Sequence, residues 1–121
     1  MIGRPTGQKG WDYACEAFKA ISNQHTTSVQ LVLIGGLGEG SGPYSAYSPR
    51  VAEGFNQIHG ITVHNIGAQS HTDTLAHLAA ADLLLFPSVF EPLGLVILEA
   101  MAAGCCILAS DAAGPSDLLH E

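Results

Sequence analysis

Ala81-Asp-Leu-Leu-Leu-Phe-Pro-Ser-Val-Phe-Glu-Pro-Leu-Gly-Leu-Val-Ile-Leu-Glu-Ala-Met-Ala-Ala-Gly-Cys-Cys-Ile-Leu-Ala109 reads as strand, loop, helix and strand. Residues 82–86 and 106–109 are short, continuous apolar runs, the pattern of strands covered on both faces in a parallel sheet. The stretch between them, 93–103, reads as a helix that is apolar on nearly every side, which predicts that it is buried. Working outward, the same alternation recurs. Strands are expected at 29–34 and 61–66, and helices at 10–22, 47–58 and 72–80. The strand over 29–34 runs into the glycine cluster Gly35-Gly36-Leu37-Gly38-Glu39-Gly40, which opens a long loop. Strands alternating with helices through short connections specify an α/β, doubly wound parallel sheet.

A chain of 121 residues accommodates one domain, here 1–121, since domains usually run to roughly 100–150 residues. With 47% hydrophobic and only 12% charged residues, it is expected to be globular. Apolar runs fall short of the roughly 18 residues that span a bilayer, and the N-terminus has no apolar signal core, so a cytoplasmic location is expected. The formal charge of −7 excludes the basic stripe that nucleic-acid binding requires. Cys15, Cys105 and Cys106 lack metal-ligand spacing and read as reduced, small apolar residues. His25, His59, His64, His71, His77 and His120 are scattered, so they read as surface or loop positions and a metal site is not expected. Met1-Ile2 reads as the tail of a first strand, and the chain stops soon after a turn at Gly114-Pro115; truncation is expected at both ends.

Four cations, Arg4, Lys9, Lys19 and Arg50, serve the whole chain, and two of them fall within the glycine-rich segment 3–10. Either that loop holds an anion or two long cations sit in solvent. The loop after Phe86 carries Glu91 and leads into a helix N-terminus at the carboxyl edge of the sheet, where ligands of open parallel sheets bind. There Gly94 allows close approach to the backbone, and the first amides, those of Gly94 and Leu95, offer a phosphate site. Glu99 lies four residues after Leu95, on the same helical face. A buried carboxylate needs hydrogen-bond partners, either a sugar diol such as ribose or neighbouring backbone.

The stretch from Glu91 to Gly104, with seven residues between Glu91 and Glu99, closely resembles the two-glutamate signature of retaining GT-B glycosyltransferases of the glycogen synthase, sucrose synthase and bacterial mannosyltransferase group. Gly3-Arg4-Pro-Thr-Gly-Gln-Lys9-Gly10 resembles the segment that opens their donor-binding domain. Leu33 to Gly36, Asn65 to Gly67 and Ala81 to Ser88 are similar to their glycine turn, their base-side loop and the strand before the glutamates. The resemblance implies a Rossmann-like half of a GT-B fold, with the first strand and the closing C-terminal helix truncated. It further implies a nucleoside-diphosphate sugar as substrate, no separate cofactor, and an N-terminal acceptor domain as partner. By position, Arg4 and Lys9 would hold the diphosphate with the amides of Gly94, Leu95 and Val96; Glu91 would be the catalytic residue that bonds the donor sugar; Glu99 would bond the ribose. Two departures stand out: Cys105-Cys106 replaces a usual proline before the strand, and Ala113-Gly114 replaces a glycine pair. Two alternatives stand beside this reading: a non-catalytic nucleotide-sugar binding fragment and a sugar-nucleotide epimerase-like domain. Self-association through the truncated sheet is also expected.

Overall fold

The computed structural model describes residues 1–22, 28–37, 46–112 and 114–119. Its elements follow the order α1 (Trp11–Ile21), β1 (Val29–Leu33), α2 (Tyr47–Asn56), β2 (Ile61–Asn65), α3 (His71–Ala80), β3 (Leu83–Phe86), α4 (Leu95–Ala102), β4 (Cys106–Ala109) and α5 (Pro115–Leu119), with a 3-10 turn at Gly7–Lys9 ahead of α1. The expected strands and helices are all present, displaced at their ends by at most two residues. The glycine cluster from Gly38 onward and Ala113 lie outside the described residues.

Periodicity explains which face of each helix is covered. Trp11, Ala14 and Cys15 are buried on α1, and Phe18 packs beside them, at helical spacings of three and four. On α2, Val51 and Phe55 repeat the pattern, and the Phe55 ring meets Trp11 edge-on, with centroids 6.4 Å apart and planes at 89°. Ser70 caps α3 by accepting a hydrogen bond from the Asp73 N–H, 3.1 Å away, which satisfies one of the helix's free donors.

The strands form two parallel pairs. β1 pairs with β2 in a register that sets Val29 opposite Ile61, and β3 with β4 so that Leu83 faces Cys106. A single parallel bridge, Ile2 to Ile34, marks the place of a strand beside β1; among the described residues no ladder joins it to β3. Two apolar clusters result. One gathers Trp11, Leu31, Leu33, Phe55 and Ile61 around β1 and β2; the other gathers Leu78, Leu84, Phe86, Ile97 and Ala100 around β3 and β4. Ile2 packs on the second cluster and Leu85 on the first, so the two interlock along a seam.

Two sequence expectations are corrected by the structure. Helix α4 is not buried on every side: Ile97 and Ala100 are enclosed, but Leu95, Leu98 and Met101 are exposed, because α3 and β4 cover only its inner face. Coverage of the strands on both faces also holds only in part, with Leu83 and Leu108 exposed. The turn at Gly114-Pro115 continues into α5, where proline at the first helical position loses no intrahelical bond. No helix among the described residues is long and apolar enough to cross a membrane.

Candidate functional site

The loop between β3 and α4 is fixed from two directions before its side chains come into play. From one side, the Val89 N–H donates to the Gln8 carbonyl at 2.9 Å, and Gly10 lies so close that a Cβ on it would sit 1.9 Å from the Pro87 carbonyl oxygen. From the other side, Gly114, at φ +89°, lies against the loop backbone, and a Cβ there would fall 2.0 Å from the Glu91 carbonyl oxygen. Both positions therefore require glycine for space as well as for conformation.

Held in this way, Glu91 points toward the glycine-rich loop. Its Oε2 accepts a hydrogen bond from Lys9 Nζ, and its Oε1 accepts one from the Gly94 N–H at 3.3 Å. The Lys9 ammonium also lies 5.6 Å from the centre of the Phe86 ring. Burial pushes the Glu91 carboxyl up, but the hydrogen bond and charge of Lys9, with the N–H groups of Gly94 and Leu93, outweigh it and hold the group below the usual carboxylate range. Glu91 is thus an anion in the folded protein, with 14% of its side chain exposed.

Helix α4 begins immediately beyond, with Gly94 as its left-handed cap at φ 73°. Leu95 and Val96 open the helix, so their N–H groups have no intrahelical acceptor. An open cleft of about 260 Å³ lies between these amides and the glycine-rich loop, with Ile2, Gly3 and Lys9 on one side and Phe86, Glu91 and the start of α4 on the other.

The structure brings together Lys9, Glu91, Gly94, Leu95 and Val96 around this cleft. Arg4 is exposed on the same loop and is not part of the lining, and Glu99 lies one helical turn beyond Leu95, also outside it. The Gly94 amide, expected with that of Leu95 to be free for a phosphate, is instead occupied by Glu91, because the loop folds the carboxylate back onto the helix cap. Among the described residues, no neighbouring backbone group bonds the Glu99 carboxylate. Its Oε1 lies 2.9 Å from Nε2 of His71, a residue read from sequence as an ordinary surface histidine. The two are 28 residues apart, and only the packing of α3 against α4 brings them together, so spacing carried no signal of the pair. Gly114 likewise supports Glu91, a role that its sequence signal, a glycine beside a proline, does not show.

Across residues 1–121, the chain matches the family model described as Glycosyl transferases group 1. The chain belongs to this glycosyltransferase family. Among its relatives, an uncharacterized glycosyltransferase of Methanocaldococcus jannaschii is 32% identical, with 100% of this chain covering 29% of that protein. An alpha-maltose-1-phosphate synthase of Mycobacterium tuberculosis is 36% identical, with 100% of this chain covering 30% of it. A glycogen synthase of Bacillus cereus is 30% identical, with coverage of 100% and 23%. The chain therefore spans less than a third of the length of these relatives. Its Rossmann-like α/β architecture is that of one half of a GT-B glycosyltransferase, in agreement with the resemblance carried by Glu91, Glu99, Arg4 and Lys9. The match is to a transferase family, which sets aside the epimerase-like alternative.

Proposed function

We propose that this glycosyltransferase domain binds the nucleoside-diphosphate sugar donor of a retaining hexosyl transfer, with the acceptor held by another domain. The observation that carries the reading is the meeting of Lys9, Glu91 and the α4 N-terminus at one cleft. A diphosphate leaving group takes the electron pair of the broken glycosidic C–O bond, and the Lys9 ammonium and the amides of Leu95 and Val96 stand where that charge would be stabilised. Arg4, exposed on the same loop but outside the lining, is the second cation that the resemblance assigns to the diphosphate. Glu91 is kept ionised to accept hydrogen bonds from the donor sugar, and Glu99 takes the ribose hydroxyls. At about 260 Å³ the cleft is smaller than the roughly 300–1,000 Å³ of pockets that enclose a whole ligand, which suits the diphosphate and leaves the nucleoside along α4.

The lining comes from two segments, residues 2–9 and 86–96, at one edge of the sheet. That observation favours binding without turnover by the 121-residue polypeptide alone, since such a site neither orients an acceptor nor excludes water. Calorimetry with UDP, ADP and GDP, paired with a transfer assay on the same preparation, tests both statements. The expected result is weak nucleoside diphosphate binding and no sugar transfer; absence of binding by all three nucleotides overturns the first statement, and steady transfer overturns the second.

A further inference from the structure

We infer that His71 is a positioning residue that orients the Glu99 carboxylate for a ribose diol; the inference rests on the reading of Glu99 given above. Among the described residues, His71 supplies the hydrogen-bond partner of Glu99, with Nε2 2.9 Å from Oε1. The imidazole is held at the first position of α3, whose entry is fixed by the Ser70 cap. The neighbouring acid, Asp73, does not compete for the ring, because its Oδ2 accepts from the Ser70 hydroxyl at 2.6 Å. Glu99 retains 26% exposure of its side chain, enough to meet a ligand, while His71 is 71% exposed and flanks it from the neighbouring helix.

The chemistry follows from counting lone pairs. An ionised carboxylate offers about four acceptor sites, so one N–H from His71 leaves both oxygens able to accept from adjacent ribose hydroxyls. A vicinal diol requires the carboxylate plane in one orientation, and a glutamate on an otherwise apolar helix has free rotation about its last bonds. Fixing one oxygen removes that freedom before the ligand arrives. Immobilising a side chain of this kind is worth about threefold to tenfold in affinity.

The test compares ribose and deoxyribose ligands. Calorimetry on the parent chain, His71→Ala and His71→Gln uses ADP, UDP and GDP, their 2′-deoxy counterparts and inorganic pyrophosphate. The parent is expected to prefer the ribose forms. His71→Ala should lower ribonucleotide affinity about threefold to tenfold while changing deoxynucleotide and pyrophosphate binding less than about twofold. His71→Gln, whose amide can donate to Oε1, should restore the preference. If His71→Ala discriminates ribose from deoxyribose as the parent does, the inference falls and the ribose reading of Glu99 stands. If the parent does not discriminate, the ribose reading falls and the inference with it. A uniform loss for all ligands in His71→Ala, not rescued by His71→Gln, assigns His71 to folding and also overturns the inference.

Discussion

At the scale of single residues, Lys9 and Glu91 meet as an ion pair that the sequence could not pair, since 82 residues separate them. Their convergence on one cleft was nonetheless partly legible, because the glycine-rich loop and the loop before a helix N-terminus both lead to the carboxyl edge of a parallel sheet, while their roles toward a donor come only from the family resemblance. What stayed hidden was that the cation is neutralised in the free site, which only the folded approach of the two loops reveals. On the proposed role of Lys9 toward the diphosphate, and with charge-assisted hydrogen bonds worth about 1.5–3 kcal/mol, Lys9→Ala should lower nucleoside diphosphate affinity about ten- to a hundredfold. The loss should be larger at low salt, where exposed charges are less screened. Glu99→Gln should instead weaken ribonucleotides and leave pyrophosphate unchanged; a calorimetric series in which both variants match the parent counts against the assigned roles. The same ion pair gives stability a pH dependence. The Glu91 carboxyl is held below its ordinary value of 4.5, so its contribution is complete above that value and is lost as the pH falls through its lower folded value. Urea midpoints measured between pH 6 and 3 should therefore drop in the parent and drop less in Lys9→Met.

Among the elements, the strands and helices were legible almost end to end because hydrophobic period and glycine punctuation both act locally. Helix α4 shows where that logic stops: the stretch 93–103, with one charge, reads as buried, yet burial depends on what lies opposite, and the neighbours reach only one face. Gly114 makes the related point for a turn. A glycine followed by a proline announces a bend but does not say that the bend presses on the Glu91 backbone. Three glycines separate conformation from contact. Gly104, at φ +72°, has no atom within 4 Å of a Cβ built on it, whereas at Gly10 and Gly114 that atom would fall 1.9 and 2.0 Å from backbone oxygens. Gly104→Ala should thus cost only the left-handed backbone penalty, about 1–2 kcal/mol. Gly10→Ala and Gly114→Ala should each exceed it, because a backbone oxygen must also move, and Gly114→Ala should additionally weaken nucleotide binding through Glu91. Equal urea midpoints for all three variants would contradict the contacts described.

Across the whole molecule, two interlocked clusters share one seam; the Ile2 to Ile34 bridge lies on the β1 side of it, and among the described residues no ladder joins Ile2 to β3. Open strand edges with exposed Leu83 and Leu108 favour pairing between copies, so the weight-average mass in sedimentation should rise with protein concentration. A monomer at every concentration would argue against that association. The topology itself was legible, because parallel order follows from alternation, but the division into two strand pairs was not. The hydrogen bond from the Val89 N–H to the Gln8 carbonyl crosses this seam beside the cleft. Its proton can be replaced by deuterium only when the two sides part locally, so the Val89 amide acts as a clock for that opening. A diphosphate gripped by Lys9 on one side and by the α4 amides on the other would slow the clock, making isotope uptake at one backbone position a measure of site occupancy that needs neither an acceptor nor a reaction.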